Sequence, residues 1–447
     1  MTEIDRTQSL VSEKAVLVGV ILPENTHLAD DLQELQGLAY AAGCETVGLL
    51  NQRRDRPDSN FYLGKGKVEE LRVLAESTDA DVIVFDNDLS PAQTRSLEKS
   101  TNTKVIDRTE LILDIFASHA RTYESRLAVE LAQLEYSLPR LKNMWTHLSR
   151  LKMGIGMRGP GEKQLEVDRR LVEKRIHDLR SDLNKIERRR ERQVASRSDH
   201  MTVSLVGYTN AGKSTLMNTL TGAEVFAADQ LFATLDTRTR RWQLPAWGPV
   251  LLSDTVGFIR NLPHRLIASF KATLEEARQT DLLLHVCDAS NQAVLDQISA
   301  VYAVLKELDI EEKNTLLVIN KIDAIPSRGH LESILRRYPN AIPVSAHTGE
   351  GLDVLAHKVS DALSHAFADV DVEMNVDNGR LMAYLAANGE ILSRSYHDQR
   401  VTLHCRLPQK FLGRIHDATV EVRDHRSSDA TPTEDDGVGD SAVEDVA

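Results

Sequence analysis

At 447 residues the chain divides into about three domains of roughly 150 residues each, far beyond the size that needs disulfide or metal staples. With 41% hydrophobic and 27% charged residues it sits near the globular average, which excludes a wholly disordered, collagen-like or coiled-coil chain. The net charge of -13 hides a local asymmetry: Arg140 to Arg197 holds 17 Lys+Arg against 8 Asp+Glu, so that stretch is +9 and the remainder -22.

No apolar run approaches the ~18 residues that span a bilayer, and the N-terminus MTEIDRTQSLVSEK lacks a charged-then-apolar leader pattern, so a cytoplasmic protein without a membrane span is expected. Cys44, Cys287 and Cys405 are isolated, which argues against a disulfide framework or zinc ribbon and makes each a small buried apolar residue.

From Ala15, AVLVGVIL, TVGLLN, DVIVF and KVID read as strands. They alternate with helices near Leu32 to Ala42, from Val68, and near Ala92 to Lys99. This alternation predicts an α/β unit over residues 1–124. Its loop Gln52 to Tyr62 carries Arg53, Arg54 and Arg56, and LGKGK follows just before a helix. That glycine pair is either an ordinary turn or a phosphate contact at a helix N-terminus.

Residues 125–197 follow as a basic helical hairpin. Leu127, Leu131, Leu134, Leu138 and Leu141 make one apolar stripe, and Pro139 is expected to bend or end its helix. A second stripe, Leu165, Val172, Ile176, Leu179, Leu183 and Ile186, follows a Gly-rich loop at Gly154 to Gly161. The basic residues fall mostly off the seam. A charged helical face is ordinarily a solvated surface, but Arg150, Lys152, Arg158 and Lys163 at the loop, with Arg169 and Arg170 beyond it, can also clasp an RNA phosphate backbone.

From Thr202 a strand runs into GYTNAGKS, where Gly207, Gly212, Lys213 and Ser214 satisfy the phosphate-loop pattern G-x-x-x-x-G-K-[ST]. Backbone N–H groups cradle phosphate oxygens, Lys213 neutralises the outer phosphates and Ser214 ligates Mg²⁺. DTVGF follows an apolar VLL, placing Asp254 to hold Mg²⁺ and the Gly257 N–H to reach a γ-phosphate. NKID supplies Asn320, Lys321 and Asp323; the Asp323 carboxylate accepts two N–H groups of guanine that adenine does not offer. In VSAH, the Ala346 N–H is expected to read guanine O6.

The series GYTNAGKS, DTVGF, NKID and VSA resembles the translation-factor-related P-loop GTPases, and from about Ala15 to Phe367 the chain resembles the HflX family of ribosome-associated GTPases. The specific marks include YLGKGKVEEL, VFDNDLSPAQTRSLEK, VIDRTELILDIFASHARTYESRLAVELAQLEYSLPRL, GIGMRGPGEKQLEVDRR and LFATLDTRTR. The resemblance implies that Thr234 is the switch threonine that joins Lys213 and Gly257 in catalysis and Ser214 and Asp254 in holding Mg²⁺. Tyr208, Thr209, Asn210, Ala211, Thr215, Phe232, Ala233, Thr255, Val256, Ser345 and His347 complete the expected GTP/GDP contacts. It further implies binding to rRNA of the large ribosomal subunit and, in the GTP state, splitting of stalled or idle ribosomes by a protein expected to be a monomer. Departures sit at the hairpin tip, where Leu151, Lys152 and Met153 replace the family's Gln-Gly-Gly and Lys163 replaces Thr, making it more basic.

Phe258 stands where many GTPases carry a water-positioning Gln, so intrinsic hydrolysis is expected to be slow. Arg238, Arg240 and Arg241 are either a cis arginine finger or surface charges of a sheet. The expected architecture is α/β: a GTPase domain at 198–367 with a mostly parallel sheet, then a small α+β domain at 368–425 and an acidic disordered tail at 426–447. Two other functions stand beside the ribosomal one: a regulatory switch acting on a protein partner, and an RNA-remodelling NTPase with a second ATP site in the N-terminal unit.

Overall fold

The computed structural model describes residues 13–23, 32–144, 160–196, 201–222, 232, 237–245, 248–260, 277–278, 280–307, 310, 315–325, 327–364, 367–408, 412, 415 and 420–425. Thr234, Ala233, Arg150, Lys152, Arg158 and the acidic tail lie outside these residues. The chain forms two compact units, Met1–Ser360 and Asp361–Ala447.

In the first unit β1 (Lys14–Ile21), β2 (Glu45–Arg53), β3 (Val82–Phe85) and β4 (Lys104–Asp107) form a parallel sheet in the order β2-β1-β3-β4. The near-continuous apolar run of β1 reflects burial on both faces: Ala15 and Leu17 join one cluster with Leu35, Ile112 and Phe116, while Val16, Val18 and Val20 join the other with Leu71 and Leu97. The covering helices are α1 (Gln33–Ala41), α2 (Lys65–Thr78), α3 (Pro91–Thr101) and α4 (Arg108–His119). α2 starts three residues earlier than its apolar pattern suggests. Lys65, Gly66 and Lys67 are its first turn, and Gly64 at the N-cap donates its N–H to Gln52 Oε1 at 2.9 Å.

α5 (Tyr123–Met144) and α6 (Pro160–Ser196) form the expected hairpin, packing Leu127 and Leu131 against Ile176 and Leu179. α5 does not end at Pro139 but continues to Met144. A helix tolerates the loss of one N–H where other contacts hold its path. Here the Arg140 guanidinium, stacked on the Tyr136 ring, donates to Asp107 Oδ2 at 2.9 Å and to the Leu89 carbonyl at 3.0 Å. Pro160 and Gly161, expected in the loop, instead begin α6, since a proline at the first helical position loses only an N–H that has no helical partner. Lys163 is therefore on that helix's first turn.

The second sheet runs β10-β9-β8-β5-β7-β6, from β5 (Thr202–Gly207), β6 (Arg238–Leu244), β7 (Gly248–Asp254), β8 (Leu282–Asp288), β9 (Thr315–Asn320) and β10 (Ile342–Pro343). Every neighbouring pair is parallel except β6 with β7. Its helices are α7 (Lys213–Thr221), α8 (Val294–Glu307), α9 (Arg328–Arg337) and α10 (Leu352–Ser364). The chemistry-bearing loops leave the carboxyl ends of β5, β7, β9 and β10, where an open α/β sheet presents ligands.

The second unit holds β11 (Phe367–Asn375), α11 (Gly379–Asn388), β12 (Glu390–His397), β13 (Arg400–Pro408) and β14 (Glu421–Asp424), in an antiparallel sheet ordered β12-β13-β11-β14. Val401, Leu403, Cys405 and Leu407 alternate inward as the sequence requires. Gly389 ends α11 with extended backbone, not the left-handed cap expected of glycine. A Cβ there would lie 2.8 Å from Leu407 Cβ, so close passage against β13 selects the residue. Of the cysteines, Cys287 and Cys405 are buried and Cys44 only half-buried.

Candidate functional site

The loop between β5 and α7 is shaped by glycine. Gly207 has φ 148° and a Cβ there would meet the Val286 carbonyl oxygen at 2.0 Å; Gly212 has φ 87° and a Cβ would meet Asn320 Nδ2 at 2.3 Å. Side chains at either position would push β5 from β8 or the loop from the base-recognition segment. Asn210 also takes positive φ, which asparagine tolerates.

Lys213 is buried at the start of α7 and donates to the Gly207 and Tyr208 carbonyls at 3.1 and 2.8 Å. Burial pushes its pKa down to about 8, against the opposing pull of Asp254. Ser214 Oγ donates to Asp254 Oδ2 at 2.6 Å, so the two candidate Mg²⁺ ligands stand together. A hydroxyl and a carboxylate are hard oxygen donors that fit Mg²⁺. Thr255 is buried behind them, its hydroxyl donating to the Leu205 carbonyl.

After Asp254 the chain crosses directly over the phosphate loop. Phe258 N–H donates to the Gly207 carbonyl at 3.0 Å and Thr209 N–H to the Phe258 carbonyl at 2.7 Å, a short parallel bridge between loop and switch. At Gly257, between them, a Cβ would touch Thr209 Cα at 2.8 Å and Lys213 Nζ at 3.0 Å. Thr209 Oγ1 is buried and has no hydrogen-bond partner among the described residues.

The residues expected to recognise the base lie together. Asn320 Nδ2 donates to the Ala211 carbonyl at 2.9 Å, tying the end of β9 to the phosphate loop. Ser345 Oγ donates to Asp323 Oδ1 at 2.6 Å, and the Lys321 ammonium pairs with Asp288 at 2.7 Å. The Ala346 N–H, expected to face a guanine oxygen, donates here to Asn320 Oδ1 at 2.9 Å. His347 is exposed on the rim.

Two expected nucleotide contacts turn elsewhere. The Phe232 ring is buried edge-to-face against Phe116 of α4, with centroids 4.6 Å apart. An apolar ring beside a ready-made core gains more there than against phosphate. The Tyr208 hydroxyl also leaves the phosphate site, donating to Glu34 Oε2 at 2.8 Å and accepting the Arg260 N–H at 2.6 Å. Burial and the Glu34 carboxylate push that phenol well above its ordinary pKa, so it stays a donor.

Around this hydroxyl lies an ion-pair network that no sequence motif announces. Arg108, 3% exposed, pairs with Glu34 and with Asp86 Oδ1 at 2.6 Å, and donates to the Arg260 carbonyl at 3.2 Å. Arg260 closes the ring through Asp86 Oδ2 at 2.8 Å. Asp86 and Arg108 lie in two of the segments quoted above for the resemblance, and each directly follows an apolar strand, β3 or β4, where parallel strands deliver functional side chains. Arg240 and Arg241 lie exposed on β6. On α6, Arg169 and Arg170 are exposed, while Arg175 and Arg180 pair across the hairpin with Glu130 and Glu135, both at 2.7 Å.

Four family models match the chain: "GTP-binding GTPase N-terminal" at 29–117, "GTP-binding GTPase Middle Region" at 119–197, "50S ribosome-binding GTPase" at 202–321 and "HflX C-terminal domain" at 331–415. The GTPase HflX of Escherichia coli K12 is 48% identical over 372 residues, covering 83% of this chain and 87% of its own. That of Magnetococcus marinus is 46% identical over 410 residues, covering 90% and 94%. Among solved structures, a GTP-binding protein of the archaeon Sulfolobus solfataricus in complex with GDP aligns at 23% identity and TM-score 0.43, covering 78% of this chain and 98% of that one.

Proposed function

The chain belongs to the HflX family of GTPases, and on that premise we propose that it acts in the cytoplasm, as a monomer, on the large ribosomal subunit, splitting stalled or idle ribosomes when GTP is bound and leaving after hydrolysis. The observation that carries the nucleotide part of this reading is the hydrogen bond from Asn320 to Ala211, which ties the NKID segment to the phosphate loop. Asp323 takes guanine by its two N–H donors, and the buried Lys213 meets the phosphates. Ser214 and Asp254, with Thr234, hold Mg²⁺, which when bound neutralises phosphate charge.

Phe258 and Ile259 are buried, and the Arg260 guanidinium is paired with Asp86. Among the described residues this segment therefore offers no group to orient the attacking water, and the ribosome supplies that missing element. Lys163, Arg169 and Arg170 of α6, with Arg150, Lys152 and Arg158 of the loop, contact rRNA phosphates. Binding energy for the GTP-held conformation drives separation of the subunits, and cleavage of the γ-phosphate releases the switch.

Hydrolysis measured with and without purified large subunits tests the whole reading. Stimulation of at least ten-fold, together with co-sedimentation in the presence of a non-hydrolysable GTP analogue, is the expected result. A rate indifferent to subunits, with no co-sedimentation at moderate salt, would leave the regulatory-switch reading in its place.

A further inference from the structure

The nucleotide site makes no use of a group of imidazoles and carboxylates on the sheet of the second unit. β11 turns Val370, Val372 and Met374 into the core, so Asp369, Asp371 and Glu373 project from its other face. The register sets His404 of β13 opposite Asp371. β14 pairs Asp424 with Val370, and the next residue, His425, donates its backbone N–H to the Asp369 carbonyl at 2.9 Å.

Three strands thus converge on one spot. The rings of His404 and His425 stack with centroids 3.6 Å apart and planes 16° from parallel. His404 Nε2 lies 2.7 Å from Asp369 Oδ1, and His425 Nδ1 lies 2.9 Å from Asp371 Oδ2. One ligand atom from each of Asp371, His404 and His425 falls within 4.8 Å of the other two.

We propose that Asp371, His404 and His425 bind one divalent transition-metal ion of the Zn²⁺ type, which fastens β14 to the rest of its sheet. The donor set argues for the class of ion. Two imidazole nitrogens and one carboxylate suit Zn²⁺, Co²⁺ or Ni²⁺, whereas Mg²⁺ and Ca²⁺ take oxygen ligands. Asp369 completes the set from behind: by accepting one ring N–H of His404 it leaves the other nitrogen as a lone pair, the arrangement that orients histidine ligands.

Tetrahedral ligation at about 2.0–2.1 Å needs donor atoms about 3.3 Å apart, so the group must contract and one of the two stacked rings must turn out of the stack to aim its in-plane lone pair at the ion. His425 can provide that movement, because it is an exposed residue one position beyond the last paired residue of β14. The strand itself gives a reason for such a fastening. All four of its residues are exposed, so β14 adds no buried side chain to the core, and its pairing with β11 is supplemented by the contact of Arg423 with Glu373.

The test uses the tag-free full-length protein preloaded with GDP and Mg²⁺, which keeps Ser214 and Asp254 occupied. Zn²⁺ binding is followed by calorimetry, Co²⁺ binding by visible absorption, and the amides of 421–425 by hydrogen exchange with and without Zn²⁺. One equivalent is expected to bind with micromolar affinity despite millimolar Mg²⁺, with slower exchange across 421–425. His404→Asn and His425→Asn should each weaken binding at least ten-fold and abolish the slowing. His425→Asn removes no core contact, so lost binding in that variant is not lost folding, and circular dichroism checks both. Stoichiometric binding that both variants retain, or no binding by the parent protein, overturns the proposal.

Discussion

Asp323 holds its carboxylate against the Ser345 hydroxyl, and the proposed guanine contact rests on that carboxylate. Asp323→Asn keeps one acceptor oxygen but turns the other into an NH2 donor facing a guanine donor, and should lower GTP affinity by about 2–3 kcal/mol, near a hundred-fold, in calorimetric titration. Glu110 on α4 offers a test of stability. Burial, reinforced by Asp107 and Asp114, pushes its carboxyl up to about 7 from 4.5. The folded state therefore keeps a proton that the unfolded chain loses, and the stability this confers is complete below pH 4.5 and lost as pH rises through 7. Glu110→Gln imitates the protonated form. It should stabilise the protein by about 1–3 kcal/mol at pH 8 and leave it unchanged near pH 4, as read from denaturant midpoints at the two pH values. Residues of this kind differ in how far sequence reveals them. Lys213, Ser214 and Asp323 are legible because each sits in a short pattern whose chemistry admits few substitutes. Glu110 is not, because its carboxylate neighbours are close in sequence but the burial that chiefly shifts it exists only in the folded unit.

Each arm of the hairpin supplies one side of the cross-helix pairs, Glu130 with Arg175 and Glu135 with Arg180, so part of the positive charge counted along the sequence is already spent inside the hairpin. Exposed pairs of this kind contribute about 0–1 kcal/mol each. Replacing Glu130 and Glu135 by Ala should cost little stability while freeing two guanidinium groups. Affinity for large-subunit RNA should rise, and the salt dependence of binding should steepen by about one unit of slope per cation that engages phosphate. The helices themselves were legible from leucine spacing, since one seam facing a partner must repeat at helical intervals. The continuation through Pro139 was not, because a local rule about proline cannot register the Arg140 anchor to Asp107, thirty-three residues away. Nor could spacing tell that Pro160 opens α6. Local propensity sets where helices tend to stop, and distant contacts decide whether they do.

Across the first unit, Tyr208, Arg260, Glu34, Asp86 and Arg108 join the phosphate loop and switch to the N-terminal sheet through contacts that span as many as 174 residues. That separation is why composition and motif left the network unseen, although each participant lies within or beside a recognisable segment. Arg108→Ala would leave Glu34 and Asp86 facing each other without their shared cation, and should destabilise the unit by about 3–5 kcal/mol in equilibrium denaturation. Tyr208→Phe is milder: the Arg260 amide loses its acceptor, and hydrogen exchange at that amide should quicken by about ten-fold while α7 stays protected. The ring of Phe232, seated on Phe116, carries a different consequence. Thr234 follows it by two residues, a tether of at most about 7 Å. Any longer swing of the threonine must uproot that mooring, at a cost of about 2–3 kcal/mol for the phenyl group.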